Sequence, residues 1–204
     1  LLKRIAVFVS GGGSNLQSLI DGVNSGEIKA EMAAVIASSS KIFAVERAKI
    51  HNIPCFVMRK RDFSSLDAMY DEIIAILKER NVDLVVLAGY LTILTPNIIE
   101  AFRGRIINIH PSLIPKYCGM GFYGLKVHEA VVAAGEKESG ATVHFVDEGA
   151  DTGKIIRQER VPVYPSDTAE TLAARVLEVE HRILRETVKQ LVEADLPSKS
   201  EVCK

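Results

Sequence analysis

Cysteine is scarce in this chain. Cys55, Cys118 and Cys203 are an odd, widely separated set with no paired spacing, which excludes a disulfide framework and suits a reducing compartment. A surplus of one charge is missing too. Lys plus Arg number 25 and Asp plus Glu 26, a net of -1, so there is neither a basic footprint for nucleic acid nor an acidic tail. No run is apolar for the ~18 residues that a membrane span needs. The opening LLKRIAVFVSGGGSN has only a short apolar stretch, which leads into glycines with no small-residue cleavage site. It does not read as a signal peptide, and the expected location is cytoplasmic. The five histidines are too scattered for a zinc site, so no metal is expected. GxxxxGK[ST] is absent, GxSxG is absent, and a GxGxxG counted from Gly11 fails at Leu16.

What is present is alternation. The 204 residues are 48% hydrophobic and 25% charged, the size and composition of one large domain spanning 1–204, with about 196–204 as a loose tail. Apolar runs at 5–9, 33–37, 55–58 and 84–88 read as strands, with helical patterns at 15–23, 41–51 and 66–80 between them. Strands at 105–109, 141–146 and 155–163 and a helix at 127–134 follow less regularly. A last helix spans 168–193, with Ser166 or Asp167 as candidate cap. The expected fold is α/β, a single open Rossmann-like, mostly parallel twisted sheet with helices on both faces and a partly antiparallel C-terminal region. In such sheets ligands bind beyond the carboxyl ends of strands, here just after Val9, Ala88, Ile109 and Val146.

Chemistry-bearing residues stand at those points. SGGGSN joins the first strand to the first helix, and three glycines there let a backbone approach an anion at a helix N-terminus. A tight turn alone would need one glycine more readily than three. Asn108 and His110 alternate with isoleucines, so period two puts them on one side of a strand that Pro111 ends. Asn can donate to an oxyanion and His can move a proton near neutrality, although both could equally satisfy local backbone groups. Asp151 lies in the later polar loop DEGADTG, and a carboxylate reaching His110 would raise its pKa. Such a trio fits acyl transfer without a covalent intermediate. His144, inside the apolar THFV, reads as structural; His128 could line a pocket or cap a helix.

SGGGSNLQSLID, LAGYLTILTP, NIHPSLIPKY and ATVHFVDEGADTG occur in this order. Together they resemble the glycinamide ribonucleotide transformylases, a branch of the formyltetrahydrofolate-utilising superfamily, over nearly the whole chain from Ile5 to about Leu191. The resemblance implies formyl transfer from 10-formyltetrahydrofolate to the amine of glycinamide ribonucleotide in purine synthesis, by a monomer or homodimer. These small molecules are the partners it implies, with no nucleic acid and no membrane. It implies Asn108, His110 and Asp151 as the catalytic trio, and Gly13, Ser14 and Asn15 as the substrate-phosphate loop. Leu177, Glu178, Val179 and Glu180 match the ribose-contacting helix. Leu91, Thr92, Ile93 and Leu94, with Asp147, Glu148, Gly149, Ala150 and Asp151, match the walls of the folate pocket.

The chain departs from that pattern in places. Thr92 stands where some relatives carry Arg, Lys154 where a DxGP pattern has Pro, and Asp67 near a folate-binding Arg of some relatives. The 117–123 stretch, YCGMGFY, is longer than in many relatives, and its glycines suit a lid or an ordinary surface loop. Other members of the superfamily fit less well. A tRNA-formylating enzyme is expected to carry a nucleic-acid-binding domain, and formyltetrahydrofolate deformylase an N-terminal regulatory one. A sugar-nucleotide formyltransferase has no reason for the phosphate loop, and a binding module need not keep the trio.

Overall fold

The computed structural model describes residues 1–194 and 196. Apart from Leu196, which packs at the edge of the core, the tail expected at 196–204 lies outside the described residues. The strands are β1 (Lys3–Val9), β2 (Ala30–Ala37), β3 (Cys55–Val57), β4 (Leu84–Leu87), β5 (Ile106–His110), β6 (Glu138–Phe145) and β7 (Ile155–Pro162). The helices are α1 (Ser14–Asn24), α2 (Phe43–Ile50), α3 (Leu66–Glu79), α4 (Pro96–Ala101), α5 (Leu125–Ala133) and α6 (Ala169–Glu193). One sheet runs in the order β3-β2-β1-β4-β5-β6-β7. Its first five strands are parallel, and β6 and β7 are antiparallel. Strand order reverses between β1 and β4, the crevice where such sheets bind ligands.

Period two explains why the central strands are apolar throughout. Ile5, Val7 and Val9 face a core built with Leu16, Leu19 and Ile20 of α1 and Val176, Ile183 and Leu184 of α6. Ala6 and Phe8 face a second core with Met69, Tyr70 and Ile73 of α3 and Ile98 of α4. Each such aliphatic side chain, fully buried, contributes about 1.5–3 kcal/mol. On β5, Ile107 and Ile109 join the first core and Ile106 the second. Asn108 and His110 continue the row of Ile106, on a face where the apolar cover gives way to a cleft.

Three details differ from the sequence expectation. α4, six residues opening on Pro96, was not anticipated, because it is too short to show helical periodicity. Thr168, rather than Ser166 or Asp167, caps α6, in a reciprocal box with Thr171. β6 runs against β5, so its carboxyl end lies beside the start of β5, with Val146 N donating to Ile106 O at 2.9 Å. The 147–154 loop must climb back along β5 to deliver Asp151 to the cleft.

Candidate active site

The glycine loop takes its shape from α2. Gly13 has φ 72°, and a Cβ there would meet the Ala44 Cβ at 2.8 Å, so only glycine fits. Gly11 and Gly12 have nothing within 4 Å of such a Cβ. The turn itself therefore needs one glycine, and the other two leave backbone open to a ligand. Asn15 is buried and donates through Nδ2 to Glu180 Oε2 at 2.8 Å, joining α1 to α6. Burial lifts the Glu180 carboxyl to about 7 against the pull of Asn15. Within 177–180, Glu180 alone bonds the loop; Val179 is core and Glu178 is exposed.

At the switch point, Ser10 N donates to Gly89 O (3.1 Å) and Leu91 N to Ser10 Oγ (3.0 Å), so the loops after β1 and β4 are tied together. Beyond them Asn108, His110 and Asp151 converge. Asn108 Nδ2 donates to Asp151 Oδ1 at 3.3 Å, and His110 Nδ1 stands 3.6 Å from Asp151 Oδ2. Gly119 N donates to the same Oδ2 at 2.8 Å. Gly153 holds the loop of Asp151 close to β6, since a Cβ there would overlap Phe145 O at 1.8 Å. Burial pushes the Asp151 carboxyl up, but His144, His110 and the Gly119 N–H outweigh it and bring its pKa to about 2.

Two features correct or extend the sequence reading. His110 is lowered, not raised: burial outweighs the attraction of Asp151. Its Nε2 lies 2.9 Å from Tyr117 O, and only an N–H can bond a carbonyl, so Nε2 carries a proton. His144, read as structural, belongs to the cluster. It pairs with Asn108 directly across β5 and β6, and its Nε2 is 3.2 Å from Asn108 Nδ2 and 3.5 Å from Asp151 Oδ1. His144 Nδ1 donates to Phe145 O at 2.8 Å, so a neutral ring offers the Nε2 lone pair to Asn108 and a charged ring offers Nε2–H to Asp151. His128 is buried, with Nδ1 unpartnered among the described residues.

A cleft of about 440 Å³ opens over the trio, walled by Leu91, Ile93 and the 119–124 loop. A neighbouring pocket of about 170 Å³ is lined by Leu91–Leu94 and Asp147–Asp151, together with Asn108 and His144. The two segments expected as folate walls therefore face each other. Tyr70 Oη donates to Thr92 O (3.3 Å) and Ile93 O (3.1 Å), fixing one wall by its backbone. Asp147 Oδ1 accepts from Gly149 N (3.1 Å) and Thr152 Oγ1 (2.6 Å), fixing the other. The 117–123 loop lies against the trio through Tyr117 O and Gly119 N.

The formyl transferase family model matches residues 3–188. The chain belongs to that family. It is 42% identical over 201 residues to the phosphoribosylglycinamide formyltransferase of Haemophilus influenzae, covering 98% of this chain and 92% of that protein. It is 43% identical over 192 residues to the trifunctional purine biosynthetic protein adenosine-3 of Drosophila melanogaster. That match covers 93% of this chain and only 14% of the fly protein. The crystal structure of phosphoribosylglycinamide formyltransferase from Bacillus halodurans is similar with a TM-score of 0.88 at 39% identity, covering 93% of this chain and 95% of that one. As a member of the formyl transferases the chain is an enzyme working on small molecules. Among the described residues no helix is long and apolar enough to cross a membrane, and no His, Cys, Asp and Glu group could hold a metal ion.

Proposed function

We propose that the chain, acting as one domain, moves the formyl group of 10-formyltetrahydrofolate onto the amine of glycinamide ribonucleotide in purine synthesis. The observation that carries the reading is the meeting of Asn108, His110 and Asp151 in a cleft between the glycine loop and the two facing walls at 91–94 and 147–151. The glycine loop takes the substrate phosphate through Gly13, Ser14 and Asn15, and Glu180 takes ribose hydroxyls. The walls take the folate.

The glycinamide nitrogen attacks the formyl carbon, forming a C–N bond and a tetrahedral intermediate whose oxygen carries the charge. Asn108 keeps one amide hydrogen on His144 and turns the one on Asp151 to that oxygen, and His110 Nε2–H leaves Tyr117 O for it. His110 begins mainly neutral near pH 7, because burial lowers its pKa. An oxyanion beside Nε2 and Asp151 beside Nδ1 both favour a second proton, which His110 takes through water from the attacking amine and gives up as the intermediate collapses, so its charge is transient. The bond to the folate nitrogen then breaks, and that same proton reaches the nitrogen through water. Mass spectrometry of the ribonucleotide product should show one added formyl group with wild-type protein and none with an Asn108→Ala/His110→Ala double variant. Undiminished turnover by the double variant would sink the mechanism.

A further inference from the structure

We propose that Arg47 is a positioning residue for the anion site: by bonding the outward carbonyl of the glycine loop, it aims the loop's N–H groups at the substrate phosphate. The inference rests on the phosphate reading of that loop. Its grounds are the fate of each carbonyl in the turn. Gly11 O accepts from Ala44 N (3.4 Å), Gly12 O from Arg47 Nε (2.9 Å) and Gly13 O from Gln17 N (2.9 Å). No acceptor among the described residues meets the N–H groups of Gly12, Gly13, Ser14 or Asn15. Acceptors are thus drawn to one side and donors left on the other, the arrangement of an anion nest.

Two of those three carbonyl partners come from α2, and Gly12 has only a side chain to hold it. Arg47 is itself fixed at two further points. Its Nη1 donates to Gln17 Oε1 at 3.0 Å, and its guanidinium lies 4.7 Å from the centre of the Phe43 ring. A planar fork can hold a loop carbonyl and a helix side chain together, which a lysine ammonium on a flexible stem does poorly. Ser14, Gln17 and Arg47 also line one polar groove beside the loop, so the cation adds positive field next to the nest.

The test compares wild-type protein with Arg47→Gln and Arg47→Lys, using inorganic phosphate as the probe. Amide shifts of residues 11–15 give a phosphate Kd that does not depend on turnover. Arg47→Gln should raise that Kd, and the KM for glycinamide ribonucleotide, about tenfold, the worth of one charge-assisted hydrogen bond. The kcat and the KM for formyl-folate should stay within about twofold, with Arg47→Lys falling between. An unchanged phosphate Kd in both variants overturns the proposal. So does a loss spread over kcat and both KM values with a lowered Tm, the mark of a merely structural residue. Should Arg47→Gln fail to fold, Arg47→Lys carries the same comparison. If wild-type protein binds phosphate at these amides but forms no formylated product, the functional reading fails while the role of Arg47 stands.

Discussion

Asn108 spends its amide hydrogens inside the ligand-free cluster, on His144 and on Asp151. Its usefulness as a donor therefore depends on how firmly those neighbours hold the amide plane. Replacing Asn108 by Ala should lower kcat by about 10²–10³, as removal of one oxyanion donor does, with little change in either KM. Steady-state kinetics checks this, and a loss under tenfold contradicts it. His144→Phe removes the acceptor that orients Asn108 and leaves the trio intact. A fall in kcat of about tenfold is expected, milder than that of Asn108→Ala, and equal losses would make His144 more than an orienting group. Parity placed Asn108 and His110 on one side of β5, but that Asp151 joins them was implied only by the resemblance, and the structure brings the three side chains together. His144 was not legible, because its partnership depends on the Asn108–His144 register between two strands, which neither strand's own sequence encodes. The lowered pKa of His110 was misread for a similar reason: a sequence shows the neighbouring carboxylate but not the depth of burial.

Among the elements, α2 and the glycine loop form one unit. Gly13→Ala would place a side chain against Ala44 at a left-handed φ, and should cost about 1–3 kcal/mol in denaturant unfolding. Gly12→Ala meets no protein atom and should leave stability nearly unchanged while weakening phosphate binding. Equal destabilisation by the two would contradict the division between a structural and a ligand-facing glycine. Strands buried on both faces, such as β1 and β4, were plain as apolar runs, with ends within a residue or two. Short α4 was invisible for want of two full turns, and the cap of α6 lies one residue beyond the turn signal because Thr171 answers Thr168.

For the whole molecule, buried titratable groups set opposing pH dependences. Burial, with the charge of His110 added, holds His128 down to about 4, against an ordinary 6.5. The unfolded chain takes that proton first, so stability present above pH 6.5 is lost as pH falls from 6.5 towards 4. Glu180, lifted by burial to about 7 from an ordinary 4.5, has the other sign. The folded chain takes its proton first, and stability is gained as pH falls from 7 towards 4.5. Relative to the wild-type protein, His128→Phe should therefore raise the urea midpoint at pH 5 against that at pH 7, and Glu180→Gln should lower it. The reverse pair of changes would contradict these signs. Alternation of strand and helix announced a mostly parallel sheet with antiparallel last strands. The strand order, and the return of the 147–154 loop along β5, arise from packing between distant segments. The most direct measurement of the whole molecule's task is the folate absorbance change of 10-formyltetrahydrofolate with and without glycinamide ribonucleotide. A change that appears only with the ribonucleotide is the expected result. Turnover without it would make the chain a deformylase, and no turnover in either case would contradict formyl transfer altogether.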